Sequence, residues 1–75
     1  MEYLTESQFQ VQLHAWRVVE ILAYNMRRDE STFTLLRKRR NSTRIYIVDT
    51  RWKEDEYACV FIQDGTIKVR YKAYY

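Results

Sequence analysis

Proline is absent from this 75-residue chain, and glycine, cysteine and histidine occur once each. The single cysteine, Cys59, rules out an internal disulfide, so the chain is not one of the stapled scaffolds common at this length. Cys59 and His14 have no spacing that suits zinc, and no metal or other cofactor is expected. The single glycine, Gly65, leaves no glycine-rich loop to cradle a phosphate. No apolar run approaches the roughly 18 residues that span a bilayer. The opening Met1-Glu-Tyr-Leu-Thr-Glu6 lacks the basic start of a signal peptide. These absences lead to the expectation of a cytoplasmic protein, in the host cytoplasm if the chain is viral, with no membrane partner.

Hydrophobic residues are 47% of the chain, enough for one globular core, and seven tyrosines stand out. The expectation is a single domain over residues 1–75, with no linker, repeat or low-complexity stretch. A lone core of this size supplies only about 3–5 kcal/mol, which favours self-association. The net charge of +3 is unevenly spread. Residues 1–30 hold five acids and three bases, a net −2, and residues 31–75 hold five acids and ten bases, a net +5. A partner of opposite charge is expected on the second half.

Residues 6–28 read as one amphipathic helix. Thr5 and Gln8 fit a capping box, and Leu4 and Phe9 sit where a hydrophobic staple would close around it. Arg27 and Arg28 fall where cations complement the helix dipole in a last turn. Val11, Ala15, Val18, Val19, Leu22, Ala23 and Met26 share one arc that should pack on a sheet. A thinner stripe of Phe9, Leu13, Trp16 and Tyr24 widens the core face or contacts a second copy.

The remainder reads as strands over residues 33–39, 44–50, 57–63 and 66–74, rich in β-branched and aromatic residues. Short connections imply an antiparallel meander. The fold expected is therefore α+β, one N-terminal helix packed on a four-stranded antiparallel sheet. Asp64-Gly65 is a strong hairpin signal. It pairs Ile62 with Ile67, Val60 with Val69 and Ala58 with Tyr71 on one face, and Phe61 with Lys68, Cys59 with Arg70 and Tyr57 with Lys72 on the other. A two-residue turn at Asn41-Ser42 would pair Leu36 with Ile47 on one face, and Leu35 with Val48 on the other. Asn-Ser is a weaker turn pair, so the buried face of the first hairpin stays open. One helix is about 10–12 Å across and four strands span about 19 Å, so a single helix leaves sheet uncovered. This again favours a homodimer.

The densest charge feature is Arg37-Lys-Arg-Arg-Asn-Ser-Thr-Arg44, five cations without an acid between them. Guanidinium groups match phosphate oxygens with a planar fork of donors. Lys68, Arg70 and Lys72 form a second cationic group interleaved with aromatic residues. Cationic grooves track nucleic-acid backbones, and bases stack on rings for about 1–3 kcal/mol each. Solvated loop charges and edge-strand lysines that block aggregation explain the same residues without a ligand. Trp52, Tyr57, Phe61 and Tyr74 are candidate stacking or partner aromatics, although packing also explains Trp52 and a terminal clasp also explains Tyr74. His14 lies on the polar side of the helix, and Glu54, Asp55 and Glu56 read as a solvated acidic cluster, so no catalytic constellation is apparent.

The stretch Trp52…Tyr57-x-Cys59…Asp64-Gly65 resembles the middle of the XisI-type element excision factors, which also place a tryptophan before a strand-turn-strand. That family carries a histidine-containing segment between the cysteine and the turn, which this chain lacks, and its chain runs on past the hairpin. The resemblance implies no function.

The leading expectation is a small non-catalytic protein that binds DNA or RNA through Arg37, Lys38, Arg39, Arg40 and Arg44, extended by Lys68, Arg70 and Lys72. The alternative is a modulator or inhibitor, of the phage or mobile-element kind, that applies the same cations to an acidic surface of a host protein.

Overall fold

The computed structural model describes residues 4–53 and 56–72. Helix α1 spans Glu6–Met26. A single 3-10 turn, Glu30–Thr32, leads into strands β1 (Phe33–Leu36), β2 (Ile45–Asp49), β3 (Tyr57–Gln63) and β4 (Thr66–Lys72). The strands form one antiparallel sheet in the order β1-β2-β3-β4. This is the expected α+β meander.

The start of α1 follows the expected capping box. Thr5 accepts the Gln8 backbone N–H at 3.1 Å, and the Gln8 side chain accepts the Thr5 N–H at 3.0 Å. Two of the four orphan donors of the first turn are thereby satisfied. Leu4 and Phe9 are both exposed, so a staple there buries little.

The helix ends two residues before the expected boundary. Arg27 is the C-cap, in the left-handed region at φ 53°, and its N–H closes back on Ala23 and Tyr24. Arg28 leaves the helix axis and forms an ion pair with Asp49 at the end of β2. Neither arginine sits in the last turn, as the sequence suggests. Pairing with a buried carboxylate holds Arg28 in place of the weaker pull of the dipole.

One face of α1 and one face of the sheet enclose the core. Val11, Ala15, Val18, Val19, Leu22 and Ala23 meet Phe33, Ile45, Ile47, Ala58 and Val60. The apolar arc of the helix packs as expected. α1 sits chiefly over β2 and β3. On β4 the inward residues Ile67 and Val69 are only half-buried, and Tyr71 is exposed. The limited width of one helix shows here.

The second hairpin has the expected register residue for residue. Asp64 and Gly65 both take positive φ, 54° and 74°, as a two-residue turn between twisted strands requires. The first hairpin differs from a two-residue turn. Leu35 pairs with Ile47 and Leu36 with Tyr46, one residue out of step with an Asn41-Ser42 turn. β1 ends at Leu36, β2 starts at Ile45, and residues 37–44 form a longer loop. A one-residue slip exchanges the two faces of a strand. It puts Leu35 rather than Leu36 on the face of Ile47, while the pairing of β2 with β3 turns Ile45, Ile47 and Asp49 inward and leaves Tyr46 and Val48 on the outer face.

Candidate functional site

The outer face of the sheet, away from α1, carries the aromatic and cationic residues. Its strand residues are Thr34 and Leu36, then Tyr46 and Val48, then Tyr57, Cys59, Phe61 and Gln63, then Thr66, Lys68, Arg70 and Lys72. None of these is acidic. Nothing in the described chain packs over this face, and the three rings are half-buried by their neighbours alone.

Each ring has a cation over it. The Lys38 ammonium lies 4.4 Å from the centroid of Tyr46, and that of Lys72 lies 5.6 Å from Tyr57. Phe61 has two guanidinium groups, Arg70 at 5.1 Å and Arg44 at 5.7 Å. Such contacts are worth about 0.5–1 kcal/mol at exposed sites. Tyr46 meets Tyr57 edge to face at 5.1 Å, which fixes the two rings against each other. Arg44, Tyr46, Tyr57, Phe61 and Arg70 surround a hollow of about 40 Å³ with Cys59 at its floor. Burial raises the Cys59 thiol above its ordinary 9.0, while Arg44, Arg70, Tyr46 and Lys38 draw it the other way. A second shallow hollow runs between Lys38 and Lys72, beside the buried Glu56. The Glu56 carboxylate accepts the Lys53 N–H at 2.7 Å and so belongs to the loop.

The loop of residues 37–44 divides its cations between the two sides of the molecule. Lys38 and Arg44 turn to the outer face and join Lys68, Arg70 and Lys72. Arg37 turns toward the helix, where it donates to Gln12 Oε1 at 3.4 Å. Arg39 and Arg40 are exposed at the tip, and the Arg39 carbonyl accepts the Ser42 N–H at 3.0 Å. The five cations therefore do not project together. An eight-residue loop changes direction between them, where a two-residue turn would keep them on one ribbon.

Gln8 sets that loop. It is 5% exposed, and its Nε2 donates to the Ser42 carbonyl at 3.0 Å and the Arg40 carbonyl at 3.3 Å. The residue that caps the helix thus also pins the basic loop. Only the first role is local in the sequence, because the second joins positions 34 residues apart.

Trp52 is not part of the outer face. It packs edge to face on Phe33 at 6.1 Å, against the core beneath the sheet. Tyr74 lies outside the described residues. Tyr57 and Phe61 are on the outer face as expected, and Tyr46 is an addition that the pairing of β2 with β3 sets beside Cys59. Phe9, Leu13, Trp16 and Tyr24 are all exposed, so the stripe is not a widening of the core face. Among the described residues, no three of His, Cys, Asp or Glu gather as metal ligands, and no helix is long and apolar enough to cross a membrane. Comparisons with protein-family models, with curated proteins and with solved structures each find no match to this chain.

Proposed function

We propose that this chain is a small, non-catalytic protein that binds single-stranded nucleic acid on the outer face of its sheet. One observation carries the reading. Three half-exposed rings, Tyr46, Tyr57 and Phe61, share an open face with five cations and no acidic strand residue. Rings offer stacking surfaces to unpaired bases, and the cations around them meet the phosphates between those bases. A duplex hides its base faces and leaves the rings without a role. Arg39 and Arg40 at the loop tip extend the positive field beyond the face.

Fluorescence anisotropy with labelled single strands, titrated with salt, tests the proposal. Neutralising five phosphates gives a log–log slope of about −3.5. A duplex of equal length should bind more weakly at equal salt. Absence of single-strand binding at low salt would refute the reading and leave an acidic protein surface as the partner for the same cations.

A further inference from the structure

On the other side of the molecule, the solvent face of α1 carries an apolar stripe. Phe9 is 58% exposed, Leu13 45%, Trp16 46% and Tyr24 85%. Positions 9, 13, 16 and 24, with Glu20 between the last two, fall within one narrow arc of the helix. Together they offer on the order of 500 Å² of apolar side chain. That is as large as the largest patch on a typical monomer, where such patches are often functional. Two such patches pressed together bury roughly 1,000 Å², the lower bound for a specific interface.

The charges in and beside the stripe indicate what covers it. Glu20 lies within the stripe and Arg17 on its flank. Both are exposed, and neither makes an ion pair or hydrogen bond among the described residues. A parallel pair of helices would set Glu20 against Glu20 and Arg17 against Arg17. An antiparallel pair, with its two-fold axis close to these residues, brings Arg17 of each copy beside Glu20 of the other. The same axis lays Leu13 of one copy against Tyr24 of the next, with the Trp16 side chains near the axis. The surface is thus complementary to itself in one orientation, as a two-fold interface requires.

We propose that a second copy of this chain occupies the stripe, with the two α1 helices packed antiparallel. The sheets then lie on the outside of the dimer, with their outer faces pointing away from each other. If the single-strand reading of those faces is right, one dimer holds two strands back to back.

Sedimentation equilibrium from 1 to 200 μM tests the pairing without any ligand. The expected mass rises to twice the 9.3 kDa of the chain. Leu13→Glu with Trp16→Glu should hold the protein at monomer mass with an unchanged far-ultraviolet circular dichroism spectrum. Both residues are about half exposed in the monomer, and the spectrum checks that the fold survives. Glu20→Arg should weaken association about tenfold, and adding Arg17→Glu should restore it. A monomer mass throughout would overturn the proposal and leave the stripe to a different protein. So would a dimer that ignores both the apolar and the charge changes. A monomer that still binds single strands separates failure of this proposal from failure of the functional one.

Discussion

The side-chain amide of Gln8 donates to the carbonyl of Ser42 at 3.0 Å, across 34 residues of sequence. The same side chain accepts the Thr5 N–H, so one amide holds both the start of the helix and the tip of the cationic loop. Gln8→Ala should cost about 2 kcal/mol, from the lost cap and the carbonyls left without donors. Gln8→Glu keeps the acceptor for Thr5 but sets a carboxylate against two carbonyl oxygens. It should be at least as destabilising at pH 7, and should recover as the pH falls and the carboxyl becomes protonated and able to donate. Urea unfolding at pH 4 and pH 7 distinguishes the two variants.

Asp49 is 1% exposed and serves as anchor for two loops. It pairs with Arg28 after the helix and accepts the Arg51 N–H at 3.0 Å after β2. Asp49→Ala leaves the Arg28 charge sequestered without its partner, at a cost of about 3–5 kcal/mol. That is near the whole stability expected of a core this small. The variant should be largely unfolded at 25 °C by circular dichroism. Arg28→Met with Asp49→Leu removes both charges and should restore a cooperative thermal transition.

Stacking and charge on the outer face separate by salt dependence. Phe61→Ala, Tyr57→Ala or Tyr46→Ala should each weaken single-strand binding by about 1–3 kcal/mol, with the salt slope unchanged. Lys68→Gln, Arg70→Gln or Lys72→Gln should each flatten the slope by about 0.7. Anisotropy titrations between 50 and 200 mM salt measure both effects. A ring variant that binds as tightly as the parent protein would refute stacking at that position.

Trp52 provides a control within the same chain. Its indole packs on Phe33 beneath the sheet. Trp52→Ala should lower stability by about 3 kcal/mol. Where the variant is still folded, its oligonucleotide affinity and salt slope should match those of the parent. A selective loss of affinity would place the indole in the site.

Cys59 gives a pH dependence. Burial raises its thiol above the unfolded value near 9.0. A group raised in this way contributes stability that is fully present below the unfolded value and is lost as the pH rises through the folded one. Stability should therefore fall more steeply above about pH 9 in the parent protein than in Cys59→Ala. Chemical denaturation at pH 7, 9 and 10 measures the difference.

How much could be read from the sequence depended on what held each element. The capping box at Thr5 and Gln8 and the hairpin at Asp64-Gly65 are local devices, and both were legible. The second hairpin fixed its own register, so the pairing of Phe61 with Lys68 and Cys59 with Arg70 followed from two turn residues. The first hairpin is closed by an eight-residue loop pinned from the helix, and no local signal encodes that contact. The facing of Lys38 and Arg44 depends on it, and so does the union of the two basic groups, while Tyr46 takes its face from the pairing of β2 with β3. Arg28 was misplaced for the same reason, because its partner Asp49 comes from a distant strand. Trp52 was ambiguous because an indole in a polar loop packs or protrudes according to what lies beneath it, here Phe33.

The cations resting on Tyr46, Tyr57 and Phe61 have a consequence for the time course of binding. A base that stacks on one of these rings must first move the ammonium or guanidinium already there. Under the proposed function, association has two stages. A fast encounter, accelerated at low salt by the field of the face, brings a strand to the cations. A slower rearrangement then carries each cation from its ring to a phosphate and lets the base down. Stopped-flow traces should show a phase whose rate rises with oligonucleotide concentration, then one that reaches a plateau. The plateau rate reports how long a side chain takes to leave its ring.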